Sequence, residues 1–445
     1  MTASLTGWGR TAPSVAHVRS VTSDEVAALV RSSPPRGLLA RGLGRSYGDA
    51  AQNAGGTVLA PIAGGTHVAR EGAGAVVTTA AGTSLHELIR LLLAERLFVP
   101  VSPGTRYVTV GGAVAADIHG KNHHRDGSMG AQVRSLDLVT ASGEVRVVEP
   151  DSDPELFWAT VGGMGLTGVI TSVTLRAVPV ESAYLRVRTE RLPDLTTLMQ
   201  RMRAVDRKHH YSVAWIDTLA RGRSLGRAVL TSGDHATRDE LTGTARDHPW
   251  RAPGDPVLTV PLTPPVGLVS WASVRAFNEL WFRKAPQDRV GVQSIASFFH
   301  PLDLVGGWNR LYGRRGLVQY QLVVPDGQEA AVAEALQLLS DAGQPSFLAV
   351  LKRFGAGNPG LLSFPLAGWT LALDLPAGPE LAPLFRTLDD LVVAARGRVY
   401  LAKDSRLAPD MLDRMYDRVE EFRRVRRDLG AVDVFQSDLS RRLHL

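Results

Sequence analysis

PGTRYVTVGGAVAADIHGKNHH, residues Pro103–His124, is the stretch whose reading decides the fold: a proline–glycine turn, a Gly-Gly pair and three histidines stand within 22 residues. Glycines at 104, 111 and 112 remove Cβ atoms where backbone presses against a ligand, and the surrounding N–H groups can form a concave nest for phosphate oxygens. His119 follows on the same segment, so a reactive side chain comes to rest beside whatever those glycines hold.

Working outward, the chain has 445 residues, long for one hydrophobic core, and 44% hydrophobic content is enough to fill two. The absence of cysteine excludes disulfides, thiolate metal sites and cysteine nucleophiles, so redox chemistry has to come from a cofactor. The start, MTASLTGWGRTAPSV, has no apolar leader core, and no run approaches the roughly 18 apolar residues of a membrane span, so nothing marks the chain for export. A net charge of +6 suits phosphate-bearing ligands or an anionic membrane face. The charge is spread rather than clustered, as on a solvated arginine-rich surface, and no nucleic-acid partner is expected.

The first 182 residues predict an α+β unit. GGTVLAPI, AVVTTAAG, LDLVTASGEVRVVEP and VITSVTLRAVPV read as strands, and short helices are predicted at Ser23–Arg31, Ser84–Glu95 and Asp153–Val161, with a capping box at Ser84-Leu-His-Glu87. From 183 to 397 the pattern changes to longer helices and aromatic-rich strands, YSVAWID, SFFHPLD and GLVQYQLVVP, a second unit with its own core. Its least regular part is Ala252–Gln287, where prolines mix with Leu, Val, Trp and Phe, as in a flap, a membrane-touching loop or a plain surface loop. The tail from Asp410 reads as one amphipathic helix followed by VDVFQSDLSRRL.

Three glycine segments are weighed by their flanks. ARGLGRSYGD, Ala40–Asp49, offers Gly42, Gly44 and Gly48 around Arg45 and Ser46, a cradle for a pyrophosphate with a cation beside it, or a structural turn. Pro103–His124 is the second. The third, GGMGLTG, matches G-x-G-x-x-G at Gly163, Gly165 and Gly168, but it follows the helical ELFWATV and opens a strand, the reverse of a nicotinamide-binding motif.

Together these segments resemble the FAD-binding domain of the vanillyl-alcohol-oxidase superfamily. LTGWGRTAPSV, ARGLGRSYGDAAQN, the Pro103–His124 stretch, ELFWATVGGMGLTGVI, FFHPLD, QYQLVVP and AKDSR run in the order found in the decaprenylphosphoryl-β-D-ribose 2′-oxidase family. The resemblance covers nearly the whole chain. It implies a two-domain α+β fold: an FAD-binding domain over 1–182 completed by 398–445, and a substrate domain over 183–397 with an antiparallel sheet and helices. It implies oxidation of the 2′-hydroxyl of a polyprenylphosphoryl ribose to a 2′-keto sugar, the first half of an epimerisation supplying arabinose for cell-wall arabinan. It also implies non-covalent FAD, an NADH-dependent keto-reductase as partner and possible membrane contact. The cytoplasmic face of the inner membrane is the expected place, and the periplasm the alternative.

Carried over by position, Ala40, Arg41, Gly42, Leu43, Gly44, Arg45, Ser46, Tyr47, Gly48 and Asp49, with Gly104, Thr109, Val110, Gly111, Gly112, Ala116, Asp117, Ile118 and His119, are implied to hold FAD, completed by Ile170 and Tyr400. Lys403 in YLAKDSR is implied to reach flavin and substrate hydroxyl; burial can lower a lysine pKa toward the range of a base. His119 can act as base, pack on the isoalloxazine, attach the flavin or be a hydrogen-bonded structural histidine. Tyr47, Lys121, Gln319, Gln321 and Lys352 are implied to line the sugar-phosphate pocket, with Trp215 and Phe354 as apolar walls. Gln319 and Gln321 face one side of a strand and Tyr320 the other. His119, His123 and His124 lack the companion ligands of a zinc site, so no metal is expected.

The chain departs from the family at Phe299, Thr370 and Ala372, where tyrosine, asparagine and cysteine are usual. The wall becomes more apolar, which bears on the identity of the sugar, and a covalent inhibitor that needs that cysteine is expected to form no adduct. Two rival readings are a soluble alditol or aldonolactone oxidase and a non-catalytic flavoprotein that partners the reductase.

Overall fold

Three sheets in the computed structural model, which describes all 445 residues, set up the site. The N-terminal sheet orders Thr2–Leu5, Ser14–Arg19, Thr57–Leu59 and Leu38–Ala40, the last two joining in parallel. The helix Ser23–Arg31 crosses between its strands. A second, antiparallel sheet runs Thr66–Glu71, Gly74–Ala80, Val169–Pro179, Val133–Val139 and Val145–Val148, with Leu97–Phe98 pairing the far end of its long central strand. Its core is filled by β-branched and leucine side chains and by the helix Leu85–Ala94, where Ser84 accepts from the Glu87 N–H at 3.1 Å and Glu87 returns to the Ser84 N–H at 3.0 Å. That is the reciprocal cap the sequence predicts.

The third sheet has eight antiparallel strands, from Asp288–Ser294 at one edge through Tyr184–Leu192, Ala228–His235, Tyr211–Ile216, Ala349–Phe354, Gly368–Pro376 and Leu317–Pro325 to Arg398–Val399. Helices Leu195–Asp206, Glu329–Asp341 and Leu381–Ala394 cover one face, burying Leu198, Met202, Leu336, Leu339, Phe385 and Leu388. The opposite face stays open to the site. The chain's tail serves both regions: Val399 pairs with Leu322 of this sheet, whereas Phe435 bridges to Leu38 of the first. Arg442 fixes it with a bidentate pair to Asp49 at 2.7 and 2.8 Å and a contact to Asp404 at 2.9 Å.

The structure corrects three local readings. SFFHPLD is not a strand: Ser294 caps the helix Ile295–Phe299, and Pro301 opens a 3₁₀ turn through Leu304. Ala252–Gln287 holds a 14-residue helix, Trp271–Lys284, capped by Ser270. The tail helix breaks into Pro409–Met415 and Val419–Asp428, with a third helix at Asp438–Leu443, because Tyr416 turns extended and its hydroxyl donates to the Val399 carbonyl at 2.8 Å.

Candidate active site

The open face of the eight-stranded sheet and the glycine segments enclose a cavity of about 1300 Å³. Ordinary small-ligand sites span roughly 300–1,000 Å³, so this one has room for a dinucleotide together with a second molecule. Strand register explains the sheet's share of the lining. Gln319 lies opposite Asp374, Gln321 opposite Ala372, and Lys352 opposite Thr370, so side chains at two-residue spacing on three neighbouring strands share one face. Trp215 and Val350 extend that face.

On the other side, the backbone N–H groups of Gly42, Leu43, Gly44, Arg45 and Ser46 donate to no acceptor within the protein, although Arg41 and Tyr47 on either side are paired with Leu59 and Ala402 carbonyls. Consecutive free donors along a glycine turn form a nest for phosphate oxygens. Gly42 is fixed by contact: a Cβ there would stand 2.3 Å from Thr109 Oγ1, which locks the two glycine segments together. Gly104 is the reverse case, because a Cβ there would meet no protein atom within 4 Å and would project beside the cavity. Free donors and backbone without side chains are what an extended dinucleotide needs, and the residues present fit FAD. Gly165, Gly168 and Ile170 also line the cavity, with no helix N-terminus behind them.

Three lysines project into the same space. Burial lowers Lys121 to a pKa of about 7, and Lys352 and Lys403 to about 8. No carboxylate offsets the burial of Lys121 or Lys352, and Lys352 is pushed further by the Lys403 ammonium. Lys121 donates to the Phe298 carbonyl, and the Lys403 ammonium stands 4.1 Å from the centre of the Tyr47 ring. Asp374, fully buried, accepts from Gln319; burial raises its carboxyl to about 7, and Gln319, Lys403 and Tyr47 pull the other way. Burial and the Asp374 charge together push the Tyr47 hydroxyl well above its usual range.

His119 is buried among Phe354, Phe364 and Tyr400, with ring centres 4.8, 5.6 and 5.3 Å away. Gln321 donates to its Nε2 at 2.9 Å, and Nδ1 has no partner in the protein. Burial first, then the neighbouring Lys352, His123 and Lys403 charges, hold its pKa well below the usual imidazole value. The ring is therefore neutral.

Of the positions implied for FAD, Ala40 through Tyr47, Gly104, Thr109, Gly111, Gly112, Ala116, Ile118, His119, Ile170 and Tyr400 all line the cavity. Gly48, Asp49, Val110 and Asp117 do not. Asp49 is taken by Arg442. Val110 is fully buried in the core of the second sheet. Asp117, at φ 40°, accepts from Ser128, the Gly130 N–H, Asn358 and Ser363, tying the first unit to the second. The Arg41 guanidinium is spent on the Ala51 and Thr6 carbonyls, both at 2.6 Å. Lys121, Trp215, Gln319, Gln321, Lys352 and Lys403 converge as a group, with Phe354 behind His119. Phe299 and Ala372 line the cavity and Thr370 receives a bond from Gln321 at 3.2 Å. Asp374 is the residue that sequence reasoning missed, although the alternation Thr370, Ala372, Asp374 places it on the same face.

A loop-built dinucleotide cradle facing an antiparallel sheet with a titratable wall defines an FAD-dependent oxidoreductase of the vanillyl-alcohol-oxidase type. A family model described as an FAD binding domain matches residues 15–149. The chain is 44% identical to the decaprenylphosphoryl-beta-D-ribose oxidase of Mycolicibacterium smegmatis over 99% of its own length and 97% of that protein. It is 40% identical, over 81% of its length, to the whole of a Streptomyces coelicolor protein described as an uncharacterized protein in the mprA 5′ region. Identity to the D-arabinono-1,4-lactone oxidase of Eremothecium gossypii is 27%, across 47% of this chain and 40% of that one. The chain belongs to the decaprenylphosphoryl-beta-D-ribose oxidase family.

Proposed function

We propose that this protein oxidises the 2′-hydroxyl of a polyprenylphosphoryl-β-D-ribose to the 2′-keto sugar. The observation that carries the proposal is the set of three lysines buried around one cavity with almost no carboxylate to balance them. Unbalanced buried cations are costly, and an anionic substrate supplies the missing charge. A free polyol or lactone offers no such anion.

Bound FAD supplies the acceptor for the hydrogen that leaves C2′ with its electron pair. Lys403, with a pKa near 8, is the base for the hydroxyl proton. His119 is too weakly basic for that task and acts as a neutral ring held by Gln321. Lys352 and Lys121 take the phosphodiester oxygens as point charges. Gln319 and Tyr47 orient the sugar, and Trp215 and Phe299 provide apolar walls. The remaining positions that line the glycine segments hold FAD through backbone donors, without a covalent link. Regeneration of a hydroxyl at C2′ falls to a separate NADH-dependent keto-reductase; GGMGLTG, between the helix Pro154–Thr160 and the strand Val169–Pro179, is turned the wrong way to bind a nicotinamide dinucleotide. No helix is long and apolar enough to cross a membrane. The lipid substrate is met at the surface of the inner membrane, on its cytoplasmic face in this reading.

The test is the visible spectrum under anaerobic conditions. Bleaching of the flavin band by a prenylphosphoryl ribose, and not by ribitol or a gulonolactone, is expected; bleaching by the polyol or lactone alone overturns the substrate assignment.

A further inference from the structure

We propose that the surface built from residues 257–281 and the adjoining 304–315 segment docks onto an anionic phospholipid bilayer, with the active-site cavity opening through it. The inference rests on the lipid-sugar reading above. Nine of the nineteen large apolar side chains that the protein exposes fall between Val257 and Trp281. Val266 is 80% exposed, Val257 79%, Leu262 77% and Leu280 68%. A patch of this kind marks an interaction site.

The backbone that presents them is ordered. Leu258–Thr259 pairs in parallel with Val305–Gly306, and Arg310 donates to the Val260 and Pro261 carbonyls at 2.8 and 2.9 Å. Helix Trp271–Lys284 turns only Val274 and Asn278 into the protein, the latter bonded to Asp217 at 2.7 Å. Phe277 and Trp281, on the same helix, are partly exposed and also line the cavity, so the apolar surface is continuous with the cavity wall.

Charge chooses the occupant. Residues 251–315 carry eight Arg or Lys against four Asp or Glu. Three of those acids are committed: Glu279 to Arg227 and Arg283, Asp288 to Arg188, and Asp303 to Arg106. Arg275, Arg314 and Arg315, within the two segments, and Lys284 at the end of the helix remain exposed. Exposed aliphatic side chains, half-exposed tryptophans and exposed cations on the same two segments match an interfacial segment that enters the headgroup region of an anionic membrane.

The test is sedimentation of the FAD-loaded protein with vesicles of phosphatidylcholine, with and without phosphatidylglycerol, comparing the natural chain with the double variant Leu262→Asp and Val266→Asp. Both positions are exposed, and the flavin spectrum reports that the variant is folded. Binding to the anionic vesicles is expected, falling at least about tenfold in the variant and weakening with salt. Turnover of a water-soluble, short-prenyl phosphoribose should be unchanged, while turnover of a long-chain substrate in vesicles drops. Equal sedimentation of both proteins, equal binding to neutral vesicles, or a dimer that the variant abolishes overturns the inference. Vesicle binding without turnover of the short-chain substrate overturns the functional reading and leaves the docking surface standing.

Discussion

Lys403→Met keeps an unbranched stem in the cavity and removes the proposed base. We expect the FAD spectrum to survive while single-turnover reduction slows about 10²–10⁴-fold. In the natural protein the rate should rise with pH through about 8, as the Lys403 ammonium deprotonates. The negative charge of Asp374 raises the Lys403 pKa, so Asp374→Asn should move this limb to lower pH, read from kcat profiles. A merely structural role for Asp374 would leave the limb in place. Gly104→Leu tests the cofactor cradle, because a Cβ there meets no protein atom within 4 Å and projects beside the cavity. The thermal stability of the FAD-free protein should change by less than about 0.5 kcal/mol, while FAD retention on gel filtration falls. Lys403 had no local signature, since an isolated lysine usually lies in solvent. Asp374 could be placed beside Thr370 and Ala372 from strand periodicity, but its pairing with Gln319, 55 residues away in the chain, depends on the register between two strands.

Among the elements, those with local caps and clean periodicity were legible. Ser84-Leu-His-Glu87 announces its helix because both halves of the cap lie within one turn. The helix Trp271–Lys284 was obscured because its apolar residues point outward as well as in, so hydrophobic spacing did not report burial. SFFHPLD carries strand-forming aromatics, yet a serine cap and a proline decide for helix and turn. The last helix, Asp438–Leu443, is held through Arg442 to Asp49 and Asp404, next to the glycine turn that begins at Ala40. Arg442→Met leaves two half-buried or buried carboxylates without their cation. We expect a loss of about 3 kcal/mol, seen as a lower denaturant midpoint at unchanged slope, with weaker FAD retention.

At the scale of the whole molecule, the buried lysines couple stability to pH. Their folded pKa values, about 7 for Lys121 and about 8 for Lys352 and Lys403, lie below the free lysine value, so the unfolded chain binds more protons between those limits. Their contribution to stability therefore rises as pH increases from about 7 toward about 10. An anion in the cavity favours the charged lysines and offsets the penalty. Inorganic phosphate should accordingly raise the melting temperature more at about pH 6.5 than at about pH 9.5. The sequence by itself implied the cofactor class through the order of its family motifs, and it determined the α+β architecture and the glycine turns that line the cavity, because glycine turns, caps and strand alternation act over a few residues. Only the tertiary structure decided that Lys121, Lys352 and Lys403 share one cavity with Asp374 buried against Gln319 of its lining, that Asp49 and Asp117 hold the scaffold instead of lining the cavity, and that an apolar surface stands at the cavity's edge. Those facts depend on strand register and on which faces meet, and long-range packing sets both.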